Sequence, residues 1–213
     1  YYTQERVDAF VLKAHKAGLQ VAMHAVGDGA VEQALDAYSA ALAAHPRDDH
    51  RHRIEHCEII REEQIERARR LGVALGIQPP FNHYWPHTTY YSSLGEERAW
   101  KVDPVRSLMR PGLLIAGGSD STVTPLGPLI GVHAAVNPSN PAERIGVREA
   151  LELYTTSSAC IAFEEQDNCS LVIVKLVYII VLSEDGLGVE PGRFKDVPIE
   201  MTIVGGQIAY ERA

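Results

Sequence analysis

Three residues far apart in the chain could share one piece of chemistry: His24, His56 and Asp120. Each stands at the end of a short strand-like run, over residues 19–23, 52–57 and 113–116, the last reached through Gly117, Gly118 and Ser119. Two imidazoles and a carboxylate are a ligand set for a catalytic zinc, or a similar divalent ion, that keeps positions open to water. Taken singly, each has a plainer use. His24 could be a hydrogen-bonded core histidine, His56 one polar group of the edge His52-Arg53-Ile54-Glu55-His56, and Asp120 a turn or capping residue ahead of Ser121 and Thr122. Taken jointly they favour a site, because the carboxyl ends of barrel strands converge on one rim. Asp28, after Gly27, reads as a helix N-cap rather than a ligand. Residues 81–91 hold Asn82, His83, Tyr84, Trp85, His87, Tyr90 and Tyr91, a loop whose polar-tipped rings suit a partly apolar ligand. His83, Trp85 and His87, with Arg53, are the candidates for substrate contact; an ordinary loop packed on itself or on a second subunit is the alternative.

The elements that must position these residues follow from periodicity. Val7, Phe10, Val11 and Ala14 keep helical spacing up to Gly18, and Val31, Ala34, Leu35, Tyr38 and Leu42 do so after Asp28. Residues 61–71 form a third helix closed by Gly72, residues 73–77 a third strand, and a helix through Val105, Leu108 and Met109 ends at Pro111-Gly112. A fourth strand at 113–116 leads to Asp120, and Val147, Ala150, Leu151 and Tyr154 mark one more helix. Strands alternating with helices argue for βαβ units on a parallel sheet. A doubly wound sheet usually shows a Gly-x-Gly-x-x-Gly turn after its first strand, and the chain has none. A (β/α)₈ barrel needs eight strands and about 250 residues, so four strands supply roughly half of one. Beyond Glu165 the apolar run 170–182, with Lys175 inside it, reads as a buried strand, shorter than the ~18 to 20 residues of a membrane span. Residues 201–210 read as a second strand with Gly205-Gly206 in or near a turn. The expected architecture is therefore α/β: the C-terminal half of a TIM (β/α)₈ barrel over 1–165, then part of a small composite β-sandwich domain over 166–213.

Composition narrows the partners. Twenty Lys and Arg against 28 Asp and Glu leave a net charge of −8 over 213 residues, with no basic cluster, so nucleic acid is not expected. Three cysteines, an odd number without metal-ligand spacing, point to a reducing, cytoplasmic compartment. The chain begins at Tyr1 without a methionine and enters a helix within three residues, which leads us to expect the C-terminal part of a longer enzyme.

Val21-Ala22-Met23-His24-Ala25-Val26-Gly27-Asp28, Arg53-Ile54-Glu55-His56 and Ala116-Gly117-Gly118-Ser119-Asp120, in this order, resemble the second half of the metal-dependent amidohydrolase superfamily, its N-substituted-formamide-deformylase-like branch above all. Met201-Thr202-Ile203-Val204-Gly205-Gly206-Gln207 is similar to that family's closing strand motif. Where the family has a Pro-Gly-Lys-x-Ala-Asp stretch, this chain reads Leu171-Val172-Ile173-Val174-Lys175-Leu176-Val177-Tyr178, keeping only the lysine. The resemblance implies that His24 is the strand-five metal ligand, His56 the strand-six histidine that orients water or binds a second metal, and Asp120 the strand-eight aspartate serving as ligand and general base. The family's His-x-His pair and fourth-strand carboxylate or modified lysine have no counterpart here.

The implied activity is metal-dependent hydrolysis of a non-peptide carbon–nitrogen bond, in an amide or formamide, with one or two divalent ions, Zn²⁺ foremost, and a small amide-type substrate. Two alternatives stand beside it: a catalytically incomplete fragment or binding module without the upstream ligands, and another metal-dependent barrel hydrolase of deaminase or phosphotriesterase type. Unpaired strand edges invite association, which leaves a homodimer among the expected states.

Overall fold

The computed structural model describes residues 2–173 and 175–213; Tyr1, and Val174 of the expected strand 170–182, lie outside the described residues. The elements run α1 (Gln4–Lys16), β1 (Ala22–Ala25), α2 (Asp28–Ala44), β2 (Arg53–His56), α3 (Glu62–Leu71), β3 (Ala74–Ile77), α4 (Pro80–Tyr84), α5 (Tyr91–Leu94), α6 (Glu96–Ala99), α7 (Val105–Leu108), β4 (Ile115–Gly117), α8 (Pro128–Val136), α9 (Val147–Leu153), α10 (Thr156–Ile161), β5 (Tyr178–Leu182), β6 (Ile199–Val204) and β7 (Gln207–Glu211).

β1 to β4 form one parallel sheet whose spatial order is the sequence order, β1-β2-β3-β4. Among these four strands there is no reversal of order of the kind a doubly wound sheet requires. One row of side chains runs straight across it: Met23, Ile54, Leu75 and Ile115 are successive register partners. This row packs into the main core with Val31, Leu35 and Tyr38 of α2 and Ile65 and Ala68 of α3. Because a strand alternates its faces, the next row, His24, Glu55, Gly76 and Ala116, lies on the opposite side of the sheet. The helices thus cover one face and leave polar residues on the other.

Several sequence expectations shift at their edges. β1 starts three residues later than expected, so His24 lies inside the strand instead of closing it. Phe10 of α1 is 63% exposed, and Val11 and His15 carry the buried stripe. Gly27, not Asp28, holds the N-cap of α2; the Asp28 carboxylate faces Arg61 and Arg98 at 3.4 and 3.3 Å. The helix through Val105 is a single turn, because its next residues include Pro111 and left-handed Gly112 (φ 82°). The loop expected over 81–91 winds into α4, a 3₁₀ turn at His87–Tyr90 and α5, and α8 and α10 are additional helices.

The tail departs further. The strand expected over 170–182 is confined to Tyr178–Leu182. Ahead of it Lys175 donates to the Glu165 carbonyl and to Ser170 Oγ, and Leu176 N–H to the Asp167 carbonyl at 2.8 Å, local bonds that replace a ladder. Residues 201–210 are two strands, not one: Gly205 and Gly206, both left-handed (φ 58° and 82°), make the tight turn of a hairpin. β5, β6 and β7 form a separate antiparallel sheet in that order. Among the described residues no helix is long and apolar enough to cross a membrane.

Candidate active site

Two of the three sequence candidates meet. Ala25 and His56 are register partners, and by alternation His56 would share the helix-covered face with Ile54. It does not follow that pattern. His56 adopts φ 82° and Cys57 φ 54°, a left-handed pair that ends β2 abruptly, and the His56 ring lies 4.4 Å from that of His24, at 69° to it. Non-glycine residues hold such conformations at a cost of about 1–3 kcal/mol each, and such outliers cluster at functional sites. The turn is tied to the neighbouring strand: Cys57 N–H donates to the Ala25 carbonyl at 3.1 Å and Ile59 N–H to that of Val26 at 3.0 Å.

His56 is nearly buried, with the Phe81 ring stacked on it at 6.2 Å, while its Nδ1 has no hydrogen-bond partner. Gln78 Oε1 and Asp103 Oδ2 are likewise buried and unpartnered, and all three residues line one cavity of about 10 Å³ beneath the rim. That is room for about one water, and three polar atoms are the number a buried water usually satisfies.

Asp120 follows β4 and is exposed. It too is left-handed (φ 52°), and its carbonyl accepts from Val123 N–H at 2.7 Å. Thr124 Oγ1 donates to the Ser119 carbonyl, and Gly118 N–H extends the β3–β4 ladder to Ile77 at 2.8 Å. Tyr154 braces the turn from the helix side: a Cβ on Gly117 would stand 2.7 Å from its ring, and a Cβ on Gly131 would overlap it. Among the described residues no group of three or more His, Cys, Asp or Glu is assembled that could hold a metal. The His24–His56 pair, with its free Nδ1, fits two nitrogen ligands of a divalent ion; Asp120 stands on the same rim outside that pair.

The substrate-contact candidates separate. Trp85 reaches His56 through Phe81, which it meets edge-on at 5.3 Å. His83 turns to His133 of α8 (5.5 Å), and His87 stacks on Trp100 at 3.6 Å. Arg53 lies in an ion pair with Glu55 at 2.6 Å on the open face of β2, and Gly76 leaves the space that the Glu55 carboxylate fills.

Sequence reasoning missed Glu58. It is buried two residues past His56 and accepts from Tyr90 Oη at 3.2 Å, which ties the aromatic segment to the rim. Burial raises its carboxyl above the ordinary range; the Tyr90 hydrogen bond and the charges of His56 and His24 pull it back, and Asp120 pushes it up again. Glu58 therefore feels all three predicted residues. Asp103 is buried too, with N–H donating to the Glu58 carbonyl at 2.9 Å, and burial followed by the Glu58 charge raises its carboxyl well above normal. No sequence pattern marks Glu58; it is the left-handed pair His56 and Cys57 that folds it back.

The chain matches the sequence pattern of the Amidohydrolase family over residues 1–210. It is 33% identical over 226 aligned residues to YtcJ of Bacillus subtilis (strain 168), which carries the name of an amidohydrolase, and 26% identical over 219 residues to N-substituted formamide deformylase of Arthrobacter pascens. Both alignments cover 100% of this chain, and the chain spans 41% and 40% of those relatives' lengths. Among solved structures, an uncharacterized metal-dependent hydrolase from Pyrococcus horikoshii OT3 superposes with a TM-score of 0.77 at 30% identity, covering 90% of this chain and 39% of that one.

Proposed function

The chain belongs to the amidohydrolase family, in the branch that includes N-substituted formamide deformylase, and on that footing we propose that it serves the metal-dependent hydrolysis of a non-peptide carbon–nitrogen bond in an amide or formamide. The observation that carries the reading is the meeting of His24 and His56 at 4.4 Å, obtained only by breaking the alternation of β2. In this reading the two imidazoles hold the ion, and nitrogen donors favour Zn²⁺. Such an ion, when bound, supplies a nucleophile at neutral pH and polarises the carbonyl. Asp120, exposed on the rim after β4, takes the proton of the attacking water and passes it to the leaving nitrogen. Arg53 and the Phe81–Trp85 pair face the bound substrate, with His83 and His87 shaping the segment that carries them.

The same reading takes residues 1–165 as four successive strands of a (β/α)₈ barrel and 166–213 as part of a composite β-sandwich domain. The strand order of the parallel sheet supports the first part. Free thiols at Cys57, Cys160 and Cys169 support a cytoplasmic setting, and a small amide, not nucleic acid or a membrane, is the partner.

The test is kinetic. With zinc-loaded protein containing this sequence at full length, hydrolysis of a panel of N-substituted formamides and amides is expected, and Asp120→Asn should lower kcat by at least 10²-fold at unchanged zinc content. Full activity in that variant would remove Asp120 from the mechanism, and turnover confined to phosphotriesters or aminopurines would move the protein to another hydrolase class. One observation favours a second reading, a catalytically incomplete module: the missing three-residue ligand group among the described residues. Calorimetric titration of the 213-residue chain with zinc separates the two, since tight one-to-one binding excludes the incomplete module.

A further inference from the structure

Three histidines outside the candidate site gather at the opposite ends of the same two strands. His15 of α1, and His50 and His52 just ahead of β2, are all buried. Their hydrogen bonds fix where each proton sits. Val21 N–H donates to His52 Nδ1 at 3.0 Å, so the His52 proton is on Nε2, which donates to His15 Nδ1 at 2.8 Å. His15 in turn donates from Nε2 to the His45 carbonyl at 2.6 Å. By the same logic His52 N–H donates to His50 Nδ1 at 2.9 Å, and His50 Nε2 donates to the Leu71 carbonyl at 2.8 Å. All six ring nitrogens have a partner, and all three rings are neutral Nε2–H tautomers.

This chain of bonds ties the start of β1 to the start of β2. Val21 is clamped from both sides: its N–H by His52, and its carbonyl by Arg53 N–H at 2.9 Å and Tyr38 Oη at 3.2 Å. The Tyr38 ring also stacks on His52 at 5.0 Å. Three residues beyond Val21 comes His24, and four beyond His52 comes His56. A second proton on any of the three rings must land on a nitrogen that already accepts a hydrogen bond, which breaks that bond where water cannot replace it.

We propose that His15, His50 and His52 form an acid-labile clamp that positions His24 beside His56, intact while all three rings are neutral and released when one is charged. The surroundings oppose charging. Arg47, which donates to the carbonyls of His15, Leu19 and His50, adds a positive charge from the α2–β2 connection. Asp49 and Glu165, which could have offset it, are both turned onto Arg51 at 2.8 Å. From α3 the contact is the Leu71 carbonyl, and from the end of α2 come the His45 carbonyl and the titratable His45 ring, edge-on to His15 at 5.8 Å. Burial, then the neighbouring His50, Arg47 and His15, lowers His52 to about 3, and burial lowers His50, with the Leu71 bond and Asp49 acting against it.

The sign follows. Above the ordinary histidine value of 6.5 His50 and His52 are neutral folded or unfolded. Below it the unfolded chain takes up protons that the folded chain refuses, so stability falls as pH drops from about 6.5 toward the folded value of His52. Denaturation of the whole chain across this range measures that proton uptake. In His52→Asn the side-chain oxygen still accepts from Val21 N–H but cannot be charged, and uptake on unfolding near pH 5 should drop by about one proton, carboxylates contributing equally to both proteins. Unchanged uptake overturns the clamp. Should the variant fail to fold, ¹⁵N NMR of the unaltered chain decides: His50 and His52 are expected as Nε2–H tautomers, with His52 still uncharged near pH 5.5, and a charged His52 there or an Nδ1–H tautomer in either ring refutes the proposal. The positioning half has its own readout, the ring-to-ring nuclear Overhauser effect between His24 and His56, which should vanish as His52 charges; its persistence leaves only a structural role.

Discussion

A single backbone angle decides which side chains His56 can meet. In a regular strand it would join Ile54 among the helices; at φ 82° it faces His24 instead, and the chain turns so that Glu58 comes to the same rim. This is why His24 and His56 could be picked from sequence while Glu58, Gln78 and Asp103 could not. Histidines at strand ends are visible in the pattern, whereas a left-handed residue outside glycine leaves no mark in it. Asp120 was visible for the same reason as the histidines, its place at the end of a strand, and the structure shows what the two glycines ahead of it are for. Gly117 admits the Tyr154 ring, which is also the neighbour of Gly131, and Tyr154 Oη reaches the Gly118 carbonyl at 3.5 Å. Gly117→Ala places a methyl 2.7 Å from that ring and should cost about 1–3 kcal/mol, read as a lowered midpoint in urea denaturation. Adding Tyr154→Leu should recover part of the loss, because it removes the overlapping ring; strict additivity of the two changes would show that Tyr154 does not brace the turn.

Among the elements, α3 shows how closely periodicity and capping can specify a helix. Arg61 N–H donates to Gln64 Oε1 at 3.0 Å at its start, Gly72 closes it at φ 68°, and Arg61 and Arg67 reach Glu32 of α2 at 2.6 Å. Gly72→Ala forces a Cβ into the left-handed region and should destabilise the chain by about 1–2 kcal/mol. A midpoint shift smaller than the error of the urea titration would contradict this. The long amphipathic helices α1, α2 and α3 were legible because burial of one stripe dominates their energetics. The aromatic segment was not, since α4, α5 and α6 are single turns held by contacts such as Tyr90 to Glu58 and His87 on Trp100, not by any repeat. The starts of β1 to β4 moved inward by one to three residues for a related reason: apolar residues such as Leu19 and Val73 flank the ladder without pairing in it.

On the scale of the whole molecule, the parallel sheet and the antiparallel sheet differ in how well the chain itself covers them. The first buries a continuous row, Met23, Ile54, Leu75 and Ile115, under α2 and α3. The second has apolar side chains in both alternations: Tyr178 opposite Val204 on one face, and Ile179, Ile203 and Ile208 in line on the other. Tyr178, Ile180, Val204, Ile208 and Tyr210 are all exposed, and the uncovered run Leu171, Val172, Ile173 lies just before β5. The apolar alternation that identified these strands in the sequence carries no record of what lies against them. Apolar side chains are thus exposed on both faces of this small sheet, and β5 and β7 are edges whose backbone groups can pair with another chain. The 213-residue chain should therefore associate with itself through this sheet, as a dimer or larger. Light scattering after size exclusion should give a mass that rises with protein concentration, and Ile180→Lys with Ile208→Lys, which places charge on both faces, should return it toward the 23.4 kDa monomer. If the double variant associates as strongly as the parent chain, the contact lies elsewhere, and the open edges of β1 and β4 become the surface to change next.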